Sequence, residues 1–380
     1  MESSGYQKFA SDIRVSAKEM KKSKMHDLPT DIMVKIFSRL SVKSLSRLKC
    51  VCTFWRAIIS DPDFLSTHHD RAAREPLFLF FTLSQEDNEG LCNIHLSSVD
   101  QQGRVLNTFT NKVAGFVHSL HTCADLVCFA GRNRIYVCNP STEEFVTLGQ
   151  ASKWTYYPRY ALGLGYSSSS KAYKVVHLFT YYVSGNEVGH LRIGCEVFTI
   201  GCTDSSWRRV EDCPYNVFGL CPPPFVEGSL HWLISGYSDD EVIVSFNVDR
   251  EEFRVVQHPE FCSSSNCRRG PSRLVELGGC LCLLEHIQLL KFNIWTLKDY
   301  KNHIWVKEHT VNFPPQPSGY FFVNPRAIRS DGAILMEMPH ESLDYYEPEN
   351  GNLTRVDRIE VERGFQFSYY VESFYSLGSR

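Results

Sequence analysis

Long hydrophobic runs are missing from this 380-residue chain. The longest apolar run near the front, residues 77–81, is far too short to span a bilayer, so no membrane partner is expected. An excess of either charge is also missing. Forty Lys and Arg stand against 43 Asp and Glu, a net charge of -3, so no overall field draws the chain toward nucleic acid. There is no Gly-rich phosphate loop, nucleophile-elbow pentapeptide or kinase-type set, which removes the common routes to an enzyme and to a bound nucleotide cofactor. The composition is not that of a disordered chain: 43% hydrophobic and 22% charged are globular values.

Cysteine, by contrast, is plentiful, with 14 in the chain. Residues 1–25 read as polar rather than as a secretory segment, and Lys18, Lys21, Lys22 and Lys24 cluster near their end. Reduced thiols in the cytoplasm or nucleus are therefore the expectation, with the lysine cluster a weak nuclear address or simply a solvated tail. The sequon at Asn352 reads as chance on the same ground. No cysteine sits in a persuasive catalytic setting, and Cys128, Cys138, Cys195 and Cys282 read as small buried hydrophobes in strands. Two clusters resemble metal sites: His118, His121, Cys123 and Cys128, and Cys262, Cys267, Cys280 and Cys282. Neither has the paired spacing of zinc modules, so no metal is expected.

Residues 28–64 have a helical rhythm. Leu28, Ile32, Ile36 and Leu40 fall four apart with Phe37 in the seam, and Leu45, Leu48, Cys52, Trp55 and Ile59 alternate three and four apart. Asp27 offers a cap ahead of Leu28-Pro29, Ser41 and Ser44 offer caps for a second helix, and Asp61-Pro62 is read as the end of a third. Residues 66–74 read as a last helical turn or a connector. So small a unit needs a partner to be stable, and it has more apolar residues than one inward stripe can use. Either some face outward to another protein, or the unit is a helical cap on the domain that follows.

From Glu75 onward, short β-branched and aromatic runs alternate with Gly, Pro, Asn, Asp and Ser turns. A strand, an Asx turn and a second strand recur at 94–99/105–106, 135–140/144–146, 195–200/207–210, 243–249/252–255, 289–297/303–308 and 343–348/353–356. Gly-anchored hairpins precede several of them, at 227–233, 278–283 and 331–335. Six such units at irregular spacings of roughly 40 to 60 residues fit a β-propeller of about six blades. Stacked antiparallel β-sheets are the competing architecture. His231, Trp232 and other repeated aromatics read as core ladder residues.

The helical stretch resembles an F-box, the module that docks F-box proteins onto the Skp-type adaptor of cullin–RING ubiquitin ligases. Leu28-Pro29, Asp31-Ile32, Ile36, Arg39-Leu40, Lys43-Ser44-Leu45, the run from Leu48 to Cys52, Trp55, Ile58-Ile59 and Asp61 to Phe64 carry the resemblance. Ser41 departs from it, standing where many members have proline. The β region resembles the F-box-associated domain of plant F-box proteins, through Cys138 to Thr142, Gly163 to Tyr166, Tyr173 to Val176, Ser206 to Arg208, Gly228 to Trp232 and Ile294-Trp295. There Ala124-Asp125 replaces a frequent Asn-Gly, which leaves that turn's geometry open. The resemblance implies a flexible leader over 1–24, a three-helix F-box over 25–70 and an all-β interaction domain over 75–370.

It further implies a non-catalytic substrate receptor of a Skp–cullin–F-box ligase, which works by raising effective concentration. Adaptor binding would fall to Leu28, Pro29, Ile32, Ile36, Leu40, Leu45, Leu48, Val51 and Trp55, with cullin and RING protein reached through the adaptor. The client is unknown. Interface-type aromatics fall in candidate loops 153–159, 181–189, 220–225 and 313–321, and Trp154, Tyr156, Tyr157, Tyr181, Tyr182 and Phe225 are nominated for it. Those aromatics could equally fold back on their own loops. A carbohydrate or other small ligand held by the same loops is the alternative function, and an enzyme on the propeller is a third.

Overall fold

The computed structural model describes residues 28–84, 87, 90–115, 117, 119–131, 134–152, 162–183, 190–202, 206–215, 222–235, 241–259, 272–288, 291–313, 323–329, 331–338, 342–356 and 366–378. Four short helices come first: α1 Thr30–Phe37, α2 Val42–Leu48, α3 Thr53–Ile59 and α4 Pro62–Arg74. None is long and apolar enough to cross a membrane.

The fourth helix corrects the expectation of three. Asp61-Pro62 does end α3, but Pro62 then opens α4, where a missing N–H removes no helical bond. The Asp61 carboxylate accepts from the Asp63 N–H at 2.8 Å and caps it. Ser41 caps α2 by accepting from the Ser44 N–H, so the departure from proline supplies a cap of its own. Asp27 lies outside the described residues, and Pro29 occupies the N-cap of α1.

The strands form six four-stranded antiparallel sheets. In chain order they begin with β1 Leu77–Leu83, β2 Leu91–Val99 and β3 Val105–Ala114. The second sheet holds β4 Ser119–Cys123, β5 Leu126–Ala130, β6 Ile135–Asn139 and β7 Glu144–Thr147, and the third β8 Leu162–Ser167, β9 Ala172–Val183, β10 His190–Thr199 and β11 Arg208–Arg209. The fourth comprises β12 Phe225–Val226, β13 Ser229–Ser235, β14 Glu241–Asn247 and β15 Glu252–Val256, and the fifth β16 Arg273–Leu277, β17 Cys280–Gln288, β18 Lys291–Asp299 and β19 Ile304–Asn312. The sixth is β20 Asn324–Ile328, β21 Ile334–Met338, β22 Ser342–Tyr346 and β23 Leu353–Arg355, and the last strand is β24 Gln366–Tyr370.

β24 does not extend the sixth sheet. It pairs with β1, Leu77 opposite Tyr370, and becomes the innermost strand of the first blade. The two ends of the β region thus close the ring of a six-bladed propeller, which leaves short strand edges only. The six strand–turn–strand repeats read from the sequence are the third and fourth strands of the six blades.

Side-chain alternation explains why these blades stack. Every residue of β5 is buried, because the strand has apolar neighbours on both faces. Val127 and Phe129 pack toward the first blade, with Leu79, Phe81 and Leu96. Leu126, Cys128 and Ala130 pack toward the third, with Leu162, Leu164 and Val175. The period of two therefore assigns alternate residues to two different seams. Four more seams complete the circle, among them Val176, Cys195 and Trp232 between the third and fourth blades and Phe78, Phe367 and Leu335 between the sixth and first.

Strand order also sorts the connections between two rims. Turns from the first to the second strand of a blade, and from the third to the fourth, emerge at one rim; all other connections emerge at the opposite one. Several of the first set are tight, as at Ala124-Asp125 and Gly278-Gly279. Ala124 takes φ 49, the left-handed turn conformation for which glycine or asparagine is the usual residue.

Candidate functional site

The helical module sits on the rim of tight turns. Lys43 on α2 donates to Asn107 Oδ1 at 2.8 Å and pairs with Glu143 at 2.7 Å, reaching two neighbouring blades. Within the module, His68 on α4 bonds the Leu40 carbonyl at 2.9 Å, and burial lowers its pKa.

The first helix has two apolar sides. Met33, Val34 and Phe37 turn inward onto Leu45, Ile58, Ile59 and Phe64. Ile32 and Ile36, four apart on the other side, are 40% and 46% exposed, and Leu28 and Val51 are 54% and 53% exposed. Pro29 is exposed beside them. A core already closed on its inner side leaves these five with no intramolecular reason to be apolar.

Of the nine residues nominated for docking, one is corrected outright. Leu45 is fully buried at 0% exposure and belongs to the core of the module. Its place in the periodic series reflects that inward face, which spacing alone does not distinguish from an outward one. Leu40, Leu48 and Trp55 are half-buried and pack against the same core, Trp55 with its ring edge-on to Phe37 at 5.3 Å between centroids.

The residues nominated for client contact are scattered. Trp154, Tyr156 and Tyr157 lie outside the described residues, and so does the side chain of Tyr182. Tyr181 and Tyr182 belong to β9 rather than to a loop, because that strand runs 12 residues through Val183. The Tyr181 hydroxyl donates to Asp212, and the Arg209 guanidinium lies 4.5 Å from its ring centre, so Tyr181 folds back on its own blade. Phe225 opens β12 of the fourth blade and packs against the two seams that flank the third blade. A Cβ built on Gly165 would lie 2.6 Å from its ring, so glycine there is what admits the phenylalanine. The candidate loops nevertheless share one property: the connections at 148–161, 184–189, 210–224 and 313–323 all attach at the rim opposite the helical module.

An open cavity of about 1400 Å³ lies at the centre of the propeller. Its walls include Tyr166, Tyr173, Phe225 and Tyr369, and His68 and Arg74 of α4 border it from the helical side. Tyr173 donates to Asp125, and burial raises its phenol pKa well above the ordinary value. His121 at the wall has no partner for either ring nitrogen among the described residues, and its burial lowers its pKa to about 3.

The thiols of Cys123, Cys128 and Cys138 lie in apolar seams, and burial raises the pKa of each. They behave as small hydrophobes. Among the described residues, no three His, Cys, Asp or Glu side chains stand close enough to hold a metal ion. His118, Cys262 and Cys267 lie outside those residues. His231 and Trp232 are buried, Trp232 in the seam of the third and fourth blades and His231 2.6 Å from the Tyr300 hydroxyl.

Residues 68–376 match the F-box associated beta propeller domain family, and residues 25–72 match the F-box-like family. The chain belongs to the F-box-associated β-propeller family. It is an F-box protein whose exposed patch lies on the F-box. Similar proteins are found in Arabidopsis thaliana. The F-box protein CPR1 is 25% identical over 87% of this chain and 84% of its own. The F-box/kelch-repeat protein At3g23880 is 26% identical over 86% of this chain and 89% of its own. The F-box protein At3g07870 is 26% identical over 76% and 73%. What the sequence missed in the F-box is α4, whose Asp-Pro start was its signal.

Proposed function

We propose that this F-box protein is the substrate receptor of a Skp–cullin–F-box ubiquitin ligase. The observation that carries the reading is the outward patch of Leu28, Pro29, Ile32, Ile36 and Val51 on an F-box whose inner face is already filled. A Skp-type adaptor would cover that patch and link the chain to cullin and RING protein. The receptor performs no bond chemistry. It holds a client so that the client's lysines meet a ubiquitin-charged enzyme at high effective concentration.

The rim opposite the F-box is the client surface in this reading. It carries the longer connections, including all four candidate loops, and it stays open when the adaptor occupies the other end. Residence in the cytoplasm or nucleus is part of the same proposal, and a fluorescent fusion followed in living cells would test it.

The deciding experiment is co-purification of the full chain with a Skp-type adaptor from Arabidopsis. A one-to-one complex is expected, lost in the variant carrying Leu28→Ala and Pro29→Ala. A complex that survives that pair unchanged would overturn the docking assignment.

A second reading is favoured by the aromatic-walled central cavity: recognition of a carbohydrate or other small ligand. Glycan-array binding by the full chain would support it, and binding to polypeptides alone would count against it.

A further inference from the structure

The F-box would be loosely held if its direct links to the propeller were all that fixed it. Among the described residues, those links include one chain connection at Glu75-Pro76 and the partly exposed contacts of Lys43. Exposed ion pairs hold little on their own. A third element changes this. Residues 371–378, which follow the ring-closing strand β24, lie between the F-box and the second and third blades.

On the F-box side, the Phe374 ring packs against the F-box core, and among the described residues it is the one member of that cluster drawn from outside residues 33–65. His68 stands edge-on to it at 5.8 Å and the Lys49 ammonium lies 4.4 Å from its ring centre. The Glu372 carboxylate accepts from the Val42 N–H at the start of α2. On the propeller side, the Val371 N–H donates to the Ala124 carbonyl at 2.9 Å. Asn139 donates to the carbonyls of Ser373 and Tyr375 at 3.2 and 2.9 Å. The Tyr375 ring stands perpendicular to Tyr173 at 4.8 Å. Glu144 accepts from the Ser376 hydroxyl at 2.9 Å and from the Leu377 N–H.

We infer that residues 371–378 are the positioning element of this receptor: they fix the F-box on the propeller, and so set the distance and angle between adaptor and client rim. The inference rests on the receptor reading above. The chemistry is a half-buried aromatic plug on one side and a row of main-chain hydrogen bonds on the other. An apolar plug resists sliding because any displacement exposes it to water, while the hydrogen bonds fix its register on the blades. Phe374 and Asn139 are positioning residues, because their contacts lie at the junction and not on the patch that meets the adaptor. Because the segment continues directly from β24, closure of the ring and seating of the F-box depend on the same stretch of chain.

The test uses the full chain with spin labels on unnatural amino acids, since Cys50 and Cys202 are exposed and would compete for thiol chemistry. One label replaces Lys35, exposed on α1, and the other Gln288, exposed at the far rim. A single narrow distance distribution is expected in the wild-type chain. Phe374→Ala should broaden it at least twofold, with amides of α2 and α4 exchanging about tenfold faster and those of β5 and β17 unchanged. Phe374→Tyr should restore the narrow distribution, which a general loss of packing would not predict.

Glu144→Ala, on a half-exposed hairpin of the second blade, loosens the other end of the segment and should broaden the distribution without unfolding the F-box. Adaptor affinity should stay within threefold in each variant. Distributions as narrow as wild type in both Phe374→Ala and Glu144→Ala would overturn the inference. Absence of adaptor binding in every protein, wild type included, would instead remove the receptor reading and leave the distance result readable on its own.

Discussion

The phenol of Tyr370 donates a hydrogen bond to Oδ1 of Asn139 at 2.8 Å, across 231 positions of sequence. Tyr370 ends the strand that closes the ring, and Asn139 ends the third strand of the second blade. The same Oδ1 accepts from the Ser141 N–H, and the Tyr370 oxygen lies 2.6 Å from the Ser141 hydroxyl. All three residues are buried. One polar knot therefore joins the first blade, the second blade and the segment that seats the F-box.

That knot should be expensive to cut. Tyr370→Phe removes a shared hydroxyl and should lower stability by about 1 to 2 kcal/mol. Asn139→Ala strands several buried partners at once and should cost about 3 kcal/mol or more on the same basis. Urea unfolding followed by far-ultraviolet circular dichroism measures both. Two midpoints equal to wild type would show that the knot contributes nothing net.

The two sides of the F-box should separate cleanly under mutation. Ile36→Ala shortens an exposed side chain, so stability should move by less than about 0.5 kcal/mol. Adaptor affinity should fall about tenfold if the residue anchors that interface. Leu45→Ala empties a filled core and should cost about 2 to 5 kcal/mol in stability. Thermal unfolding beside adaptor titration distinguishes them. The assignment fails if Ile36→Ala binds as tightly as wild type.

Glu372 gives the junction a pH dependence. Burial raises its carboxyl to about 7, against an ordinary value near 4.5. A raised carboxyl means that the folded state binds the proton more tightly than the unfolded chain. Its stabilising effect is complete below about pH 4.5 and is lost as pH rises through 7. Glu372→Gln keeps an acceptor for Val42 without the charge. It should match wild type near pH 5 and exceed it by about 1 to 2 kcal/mol at pH 8. Denaturation at the two pH values is the check, and an equal difference at both would refute it.

Two buried histidines pull the other way. Burial lowers His121 to about 3 and His231 to about 4. Both stay neutral in the fold, while the unfolded chain takes up protons below about 6.5. The stability they contribute is present above that value and is lost as pH falls, by about 2 kcal/mol for each at pH 5. Unfolding midpoints should therefore drop between pH 7.5 and 5, and His231→Gln should shrink the drop. A drop of unchanged size in that variant would point to other groups.

Phe225 was nominated for client contact by its place in an aromatic, proline-rich run. The structure gives it a packing role against Gly165, so Gly165→Ala should force the ring to move and cost about 1 to 3 kcal/mol. A thermal shift of less than a degree would mean that the ring has room to yield.

The sequence by itself determined the local units. Apolar residues three and four apart mark the F-box helices, and each strand–Asx turn–strand repeat is the outer half of a blade, because both patterns arise between near neighbours. The count of six blades followed from six repeats. Tertiary structure alone decided which residues face inward. Ile36 and Leu45 have the same periodic signature, yet one is exposed and the other has no contact with water, since periodicity gives a face but not its neighbour. It alone paired β24 with β1, a partnership of strands at opposite ends of the β region that no local pattern encodes. It also turned residues 371–378, which have no regular structure of their own, into the link between F-box and propeller. Such contacts depend on where distant parts of the chain come to lie once the ring has closed.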